Sequence, residues 1–432
     1  MPEITEPVYP LTKAAFTRAL MTGHGRPLIH AERCGTDDVR EEILNAALFP
    51  NVYDAQCNGL GEAWLARLCV AACLVESFLS KEPGITGDLA LRCGMLAQFA
   101  LQGHASPRAE LRELCRYDEK KGWVLGAGEI VEVDGEDGFL FAADRVGEAL
   151  LEHPDYWGST YLARLLDEKA GDGRAMAIMD RESPRNPNIA AFREAVLKSE
   201  AKVNPRPERT TPSVDEWLDQ ILTSAKPVQF LRFSGGRATL AEGQLVAAMD
   251  FQNLNAVALE NYLLFFDQTG FPELWEEHLA LLTHPEKRVR EQAHSTMSHH
   301  AEPELRKAAY ETLARGEVSN FVMLLHRFAR RRDIGPMLEA ISAPGAFEDD
   351  DDLHGVVLCL LKRMWKYPKT RDTRLPMWIY GNCPCRMCRH DSVKAMASRS
   401  ILPKWIAEEC LFDAYEETRE IAAKHLGVER RF

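Results

Sequence analysis

The sequence lacks most of the signatures that would assign it a chemistry or a compartment at sight. No apolar run reaches the roughly 18 uncharged residues that a membrane span needs. The longest, Ala63 to Leu79, is interrupted by Arg67 and Glu76. The opening residues Met1-Pro2-Glu3-Ile4-Thr5-Glu6 are acidic and do not follow the basic-then-apolar order of an export signal. The glycine turns Gly126-Ala127-Gly128, Gly171-Asp172-Gly173 and Gly235-Gly236 have neither P-loop nor dinucleotide-fingerprint spacing. His294, His299 and His300 miss the one-turn spacing of an H-E-x-x-H zinc helix, and a partly exposed helix end is the simpler reading of them. Strand alternation is nearly missing too. Ile130-Val131-Glu132-Val133 is the best example, and one segment does not make a sheet. The expectation is a cytoplasmic protein with no membrane segment.

What the sequence has is length and acid. At 432 residues it exceeds the usual single core and should form two domains or one extended array. The formal net charge is -13, which disfavours nucleic acid spread over the whole surface but permits a local basic stripe. A protein or peptide partner is therefore favoured over nucleic acid, with a slight preference for a basic one.

Apolar residues recur with a period near 3.6 along most of the chain. Leu254, Val257, Ala258, Tyr262, Leu263, Phe265 and Phe266 fall on one broad helical stripe. Val289, Ala293 and Met297 form a narrower stripe, and Leu305, Ala308, Ala309 and Leu313 another. Short helices with one apolar face cannot bury that face alone, and stacking antiparallel pairs is the simplest solution. The segment Leu282-Thr283-His284-Pro285-Glu286-Lys287-Arg288-Val289-Arg290-Glu291-Gln292-Ala293 resembles the start of the second helix of a HEAT repeat. Weaker echoes are Asp413 to Ala422 and Pro303 to Ala309. Tyr53-Asp54-Ala55-Gln56-Cys57, Pro384 to Arg389 and Glu408 to Asp413 resemble segments of uncharacterised bacterial HEAT-repeat proteins, which carry no activity to transfer. The resemblance implies an all-α, HEAT-like α-solenoid of antiparallel helix pairs.

Three prolines within residues 202–212 cannot continue a helix and read as a linker or long loop. The expected division is 1–201 and 213–432, with Ser213 and Glu216 as a capping box opening the second part. Five consecutive carboxylates, Glu348 to Asp352, read as a solvated loop.

The strongest chemical signal is Cys383-Pro384-Cys385-Arg386-Met387-Cys388, with Cys410 further on. Zinc takes four tetrahedral S or N ligands, and a tight turn offering two thiolates is the usual first half of such a site. Cys383, Cys385, Cys388 and Cys410 are the candidate ligands of a structural zinc, with His390 as a substitute for the fourth. Redox use of the Cys385–Cys388 pair, and plain burial as small hydrophobes, are the competing readings. Cys69, Cys73, Cys93, Cys115 and Cys359 lie in apolar stretches and are expected in the core, whereas Cys57 lacks an identifiable histidine partner.

A basic run, His326-Arg327-Phe328-Ala329-Arg330-Arg331-Arg332, reads most simply as a solvated helix C-terminus, where the dipole favours cations. The sharper reading is a binding patch made of Arg327, Arg330 and Arg331, extended by Arg288, Arg290, Arg306 and Lys307 on neighbouring helices. Some HEAT-like proteins are DNA glycosylases that hold a duplex on such a face, but the interspersed glutamates weigh against that here. Trp275 and Trp217 are aromatic anchor candidates. The expectation is thus a non-catalytic binding or scaffold protein for a protein or peptide partner. A nucleic-acid-binding or glycosylase-type protein is the alternative, and structural zinc is the one candidate cofactor.

Overall fold

The computed structural model describes residues 4–49, 59–82, 88–153, 156, 161–201 and 212–431. The Tyr53–Cys57 segment, and all of the proline-rich stretch except Pro212, lie outside the described residues. Within them the chain is all-α, apart from a two-residue antiparallel hairpin in which Tyr117 faces Val124 and Asp118 faces Trp123. None of the described helices is long and apolar enough to cross a membrane.

The contacts divide the chain into two units. One is Glu6–Glu208 with Pro403–Phe432, and the other is Met1–Thr5 with Arg209–Leu402. Sequence reasoning placed everything after residue 213 in one domain; the last 30 residues instead fold with the N-terminal part. The Ala414 amide donates to the Gly23 carbonyl (3.0 Å), and Arg26 pairs with buried Glu409 (2.9 Å). Nothing in the local pattern of helix Glu416–Leu426 specifies which neighbour covers Ala422 and Ala423, so periodicity could not reveal this return.

In the first unit, Ile130 and Val131 prove to be buried in helix Ala127–Glu152, which outweighs their β-propensity. That helix is broken at Gly135, whose φ of 60° is a conformation side chains with a Cβ rarely adopt. Cys69, Cys93 and Cys115 are in the core as expected, while Cys73 is exposed.

In the Arg209–Leu402 unit, Ser213 and Glu216 form the expected capping box at the start of Val214–Thr223. From there the packing is regular. Helix Ala256–Phe265 packs on Lys287–Met297, that helix on Val318–Leu325, that on Asp350–Lys366, and that on Arg386–Ser398. The intervening helices Pro303–Ala314 and Arg374–Asn382 pack against the members that follow them. The apolar stripes explain the row. Val289, Ala293 and Met297 are buried on Lys287–Met297, and Val318, Phe321, Val322, Leu324 and Leu325 on Val318–Leu325. Each fully covered aliphatic or aromatic side chain contributes roughly 1.5–3 kcal/mol.

The acidic run is not a loop. Asp349 caps helix Asp350–Lys366 by accepting from the Asp352 amide (2.9 Å), and Asp350, Asp351 and Asp352 fill its first turn. Carboxylates at that end meet the positive pole of the helix, which offsets their mutual repulsion.

Candidate functional sites: an arginine cleft and a thiol–imidazole cluster

Two constellations stand out in the Arg209–Leu402 unit. The first begins with the basic run. Helix Val318–Leu325 stops at Leu325, and Arg331–Asp333 form a 3-10 turn leading into helix Ile334–Ile341. His326 caps the C-terminus of helix Val318–Leu325, as the run's charge suggests, but Arg330, Arg331 and Arg332 stand just before the N-terminus of the next helix, where the dipole does not account for cations.

Local bonds shape this turn. Asp333, 1% exposed, accepts from the Arg330 amide (2.5 Å), from the Tyr310 hydroxyl (2.9 Å) and from the Arg306 guanidinium. Burial alone would raise its carboxyl. The hydrogen bonds from Arg306, Arg330 and Tyr310 outweigh that and hold it below the ordinary value. Buried Arg363 reaches across from helix Asp350–Lys366 to donate to the Ala329 carbonyl (2.7 Å), and the Tyr367 hydroxyl donates to the Arg327 carbonyl (2.9 Å).

The result is a cleft of about 1510 Å³ onto which Arg327, Arg330, Arg331 and Arg332 converge with Arg363, Lys366, Arg371, Arg374 and Arg399. Its one acidic lining residue, Asp372, pairs with Arg374 at 2.6 Å. Among the described residues, the other eight cations have no carboxylate within ion-pair distance. Burial draws the Arg327, Arg363 and Arg399 guanidiniums down from their ordinary value, so positive charge here is held against its preference. The Nε of Arg327 is buried with no hydrogen-bond partner. An anion in the cleft would relieve both penalties.

Of the sequence-nominated binding residues, the structure brings Arg327, Arg330 and Arg331 together here; the other three are elsewhere. Arg288 is exposed on helix Lys287–Met297, and Arg290 donates to the His284 carbonyl (2.8 Å) and faces Glu317 at 3.5 Å. Trp275 stacks on His278, with ring centroids 5.3 Å apart. Trp217 is fully buried. Arg306 supports the cleft from behind through Asp333. Arg363, Lys366, Arg371, Arg374 and Arg399 were missed. The first two mark the last turn of their helix, and only tertiary packing joins them to the run at 326–332.

Of the clustered histidines, His294 is buried in the last turn of helix Lys287–Met297, whereas His299 and His300 follow the end of that helix half-buried, as expected of a partly exposed helix end. His278 and His294 are fully buried, and burial lowers each to about 4; His326 is likewise buried and lowered to about 3. His278 is hydrogen-bonded to Tyr262 (3.2 Å) and His294 to Thr312 (3.3 Å), so these are satisfied core imidazoles.

The second constellation is the cysteine turn. Helix Arg374–Asn382 ends at Cys383, Pro384 prevents its continuation, and Cys385 caps the next helix, Arg386–Ser398. Cys385 and Cys388 thus occupy the N-cap and third positions of one helix, which places both side chains at the same end. His354, one turn into helix Asp350–Lys366, completes a group in which the donor atoms of His354, Cys385 and Cys388 all lie within 4.8 Å of one another. His354 Nε2 is 3.1 Å from Cys388 Sγ. The Cys388 thiol hydrogen-bonds with Cys383 and Cys385; the bond to Cys383, only partly opposed by that from Cys385, combines with burial to push it up to about 12. Cys383, Cys385 and Cys388 are all buried. Cys410 is buried as well and ends helix Lys404–Cys410, which belongs to the other unit.

No protein-family model matches the chain, and no curated protein or solved structure matches it.

Proposed function

We propose that this chain is a non-catalytic binding protein whose Arg209–Leu402 unit receives an acidic peptide segment of a partner protein in the arginine cleft. The observation that carries the reading is the set of eight cations without a carboxylate partner around one cleft, in a chain of net charge -13. Guanidinium groups dominate the set, and their planar fork matches carboxylates in a bidentate way. At about 1510 Å³ the cleft exceeds the roughly 300–1,000 Å³ of ordinary small-molecule sites and suits several residues of an extended chain. The sequence had leaned toward a basic partner on total charge alone. Local charge reverses that preference, because screening at physiological salt confines each charge to about 8 Å.

The same unit supports an α-solenoid reading. Helices that pack on one another begin at residues 256, 287, 318, 350 and 386, giving intervals of 31, 31, 32 and 36. This fits stacked helix pairs, with a repeat shorter than the roughly 40–47 residues of HEAT units.

Fluorescence anisotropy with a labelled glutamate-rich peptide, a basic peptide and a single-stranded oligonucleotide of equal length tests the function. The acidic peptide should bind with an affinity that falls as salt rises, and Arg330→Glu with Arg331→Glu should weaken it at least about tenfold, as loss of two charge contacts requires. Tighter binding of the oligonucleotide than of the acidic peptide would move the chain to the nucleic-acid class.

A further inference from the structure

We propose that Cys383, Cys385, Cys388 and His354 form a zinc site that pins the start of helix Asp350–Lys366 to the turn between Arg374–Asn382 and Arg386–Ser398. The nitrogen ligand is an imidazole 29 residues before Cys383 (383 − 354).

Three separate observations meet here. The donor atoms of His354, Cys385 and Cys388 lie within 4.8 Å of one another, and Cys383 is close enough to hydrogen-bond Cys388. Around a tetrahedral zinc with Zn–S near 2.3 Å, two sulfurs stand about 3.8 Å apart, so the His354, Cys385 and Cys388 donors need only a small contraction, while Cys383, whose thiol donates to the Cys385 carbonyl at 3.6 Å, would turn in to complete the set. The donor chemistry is three sulfurs and one nitrogen, the Cys3His set that zinc occupies in structural sites. Burial of all three cysteines leaves the site closed, with no position kept for substrate.

The charge also balances locally. Zinc with three thiolates and one neutral imidazole carries 2 − 3 = −1. Cys385 and Cys388 sit at a helix N-terminus, where the dipole stabilises negative charge. Buried Arg386 and Arg389 lie on the same first turn. On binding, the three thiols release their protons to solvent and His354 coordinates as the neutral ring, so uptake is accompanied by acidification.

The test is elemental analysis of the full chain purified without a metal-chelate resin, supported by cobalt(II) titration of the stripped protein. About one zinc per chain is expected, and cobalt should give thiolate charge-transfer absorption with the intense visible bands of a tetrahedral site. Cys383→Ser and His354→Ala should weaken retention by more than the roughly 10- to 100-fold that loss of an outer-shell partner costs. His354→Cys should retain the metal as a four-sulfur site, which separates ligand loss from misfolding. Cys410→Ser should leave zinc content unchanged. Zinc far below one equivalent, both as isolated and after reloading and desalting, overturns the proposal. So does loss of zinc in Cys410→Ser with retention in His354→Ala.

Discussion

His354 Nε2 and Cys388 Sγ lie 3.1 Å apart although 34 residues separate them in the chain. The contact is made by the packing of helix Asp350–Lys366 on Arg386–Ser398. The same helix carries Arg363 nine positions later, about 14 Å along its axis at 1.5 Å per residue. One end of the helix therefore serves the thiol cluster, and the other serves the arginine cleft.

Metal removal should show in stability. With free zinc at 100 times its Kd, binding to the folded form alone adds about 2.7 kcal/mol. A strong chelator should lower the thermal midpoint by several degrees, and added zinc should restore it. Calorimetry that traces the same curve with and without chelator contradicts a folded-state metal.

The buried imidazoles predict acid sensitivity. His278, His294 and His326 are held neutral by burial, at about 4, 4 and 3, against about 6.5 in the unfolded chain. Below 6.5 the unfolded chain binds protons that the folded one refuses, so stability falls as pH falls and levels off above about 7. Each group contributes a slope of up to roughly 1.4 kcal/mol per pH unit in that window. Urea midpoints should drop steeply between pH 6.5 and 4. A flat profile there would show that these rings titrate freely in the fold.

Asp333 is expected to be the least replaceable carboxylate of the cleft's support. Asp333→Ala removes the acceptor for Arg306, Tyr310 and the Arg330 amide, and leaves a largely buried guanidinium uncompensated. The cost should be about 3–5 kcal/mol by urea denaturation. A loss under 1 kcal/mol would mean the turn is held by other contacts.

Gly25 tests the return of the C-terminal segment to the N-terminal unit. A Cβ at this position would stand 2.0 Å from the Glu409 carbonyl oxygen. Backbone must move to admit it, so Gly25→Ala should destabilise by about 2 kcal/mol or more. Wild-type stability in that variant would argue against the packing.

The helices were legible in the sequence because one-sided apolar stripes such as Val289, Ala293 and Met297 leave only one way to be covered. The capping box at Ser213 and Glu216 was legible for a similarly local reason. Long-range partners were not. Cys383, Cys385 and Cys388 announced themselves by spacing, whereas His354 sits alone behind an acidic run and carries no pattern. The same holds for the cleft: Arg327 to Arg332 form a visible run, but Arg363, Arg371 and Arg399 join it only through packing. The acidic run was misread because its charge suggests repulsion until a helix N-terminus is placed beneath it.

The most direct test of the binding assignment is hydrogen exchange of the full chain with and without a saturating glutamate-rich peptide. Amides should slow around 327–332, 363–374 and 399, with the effect abolished by Arg330→Glu and Arg331→Glu together. Protection confined to other segments, or unchanged in the charge-reversed chain, would contradict the arginine cleft as the binding site.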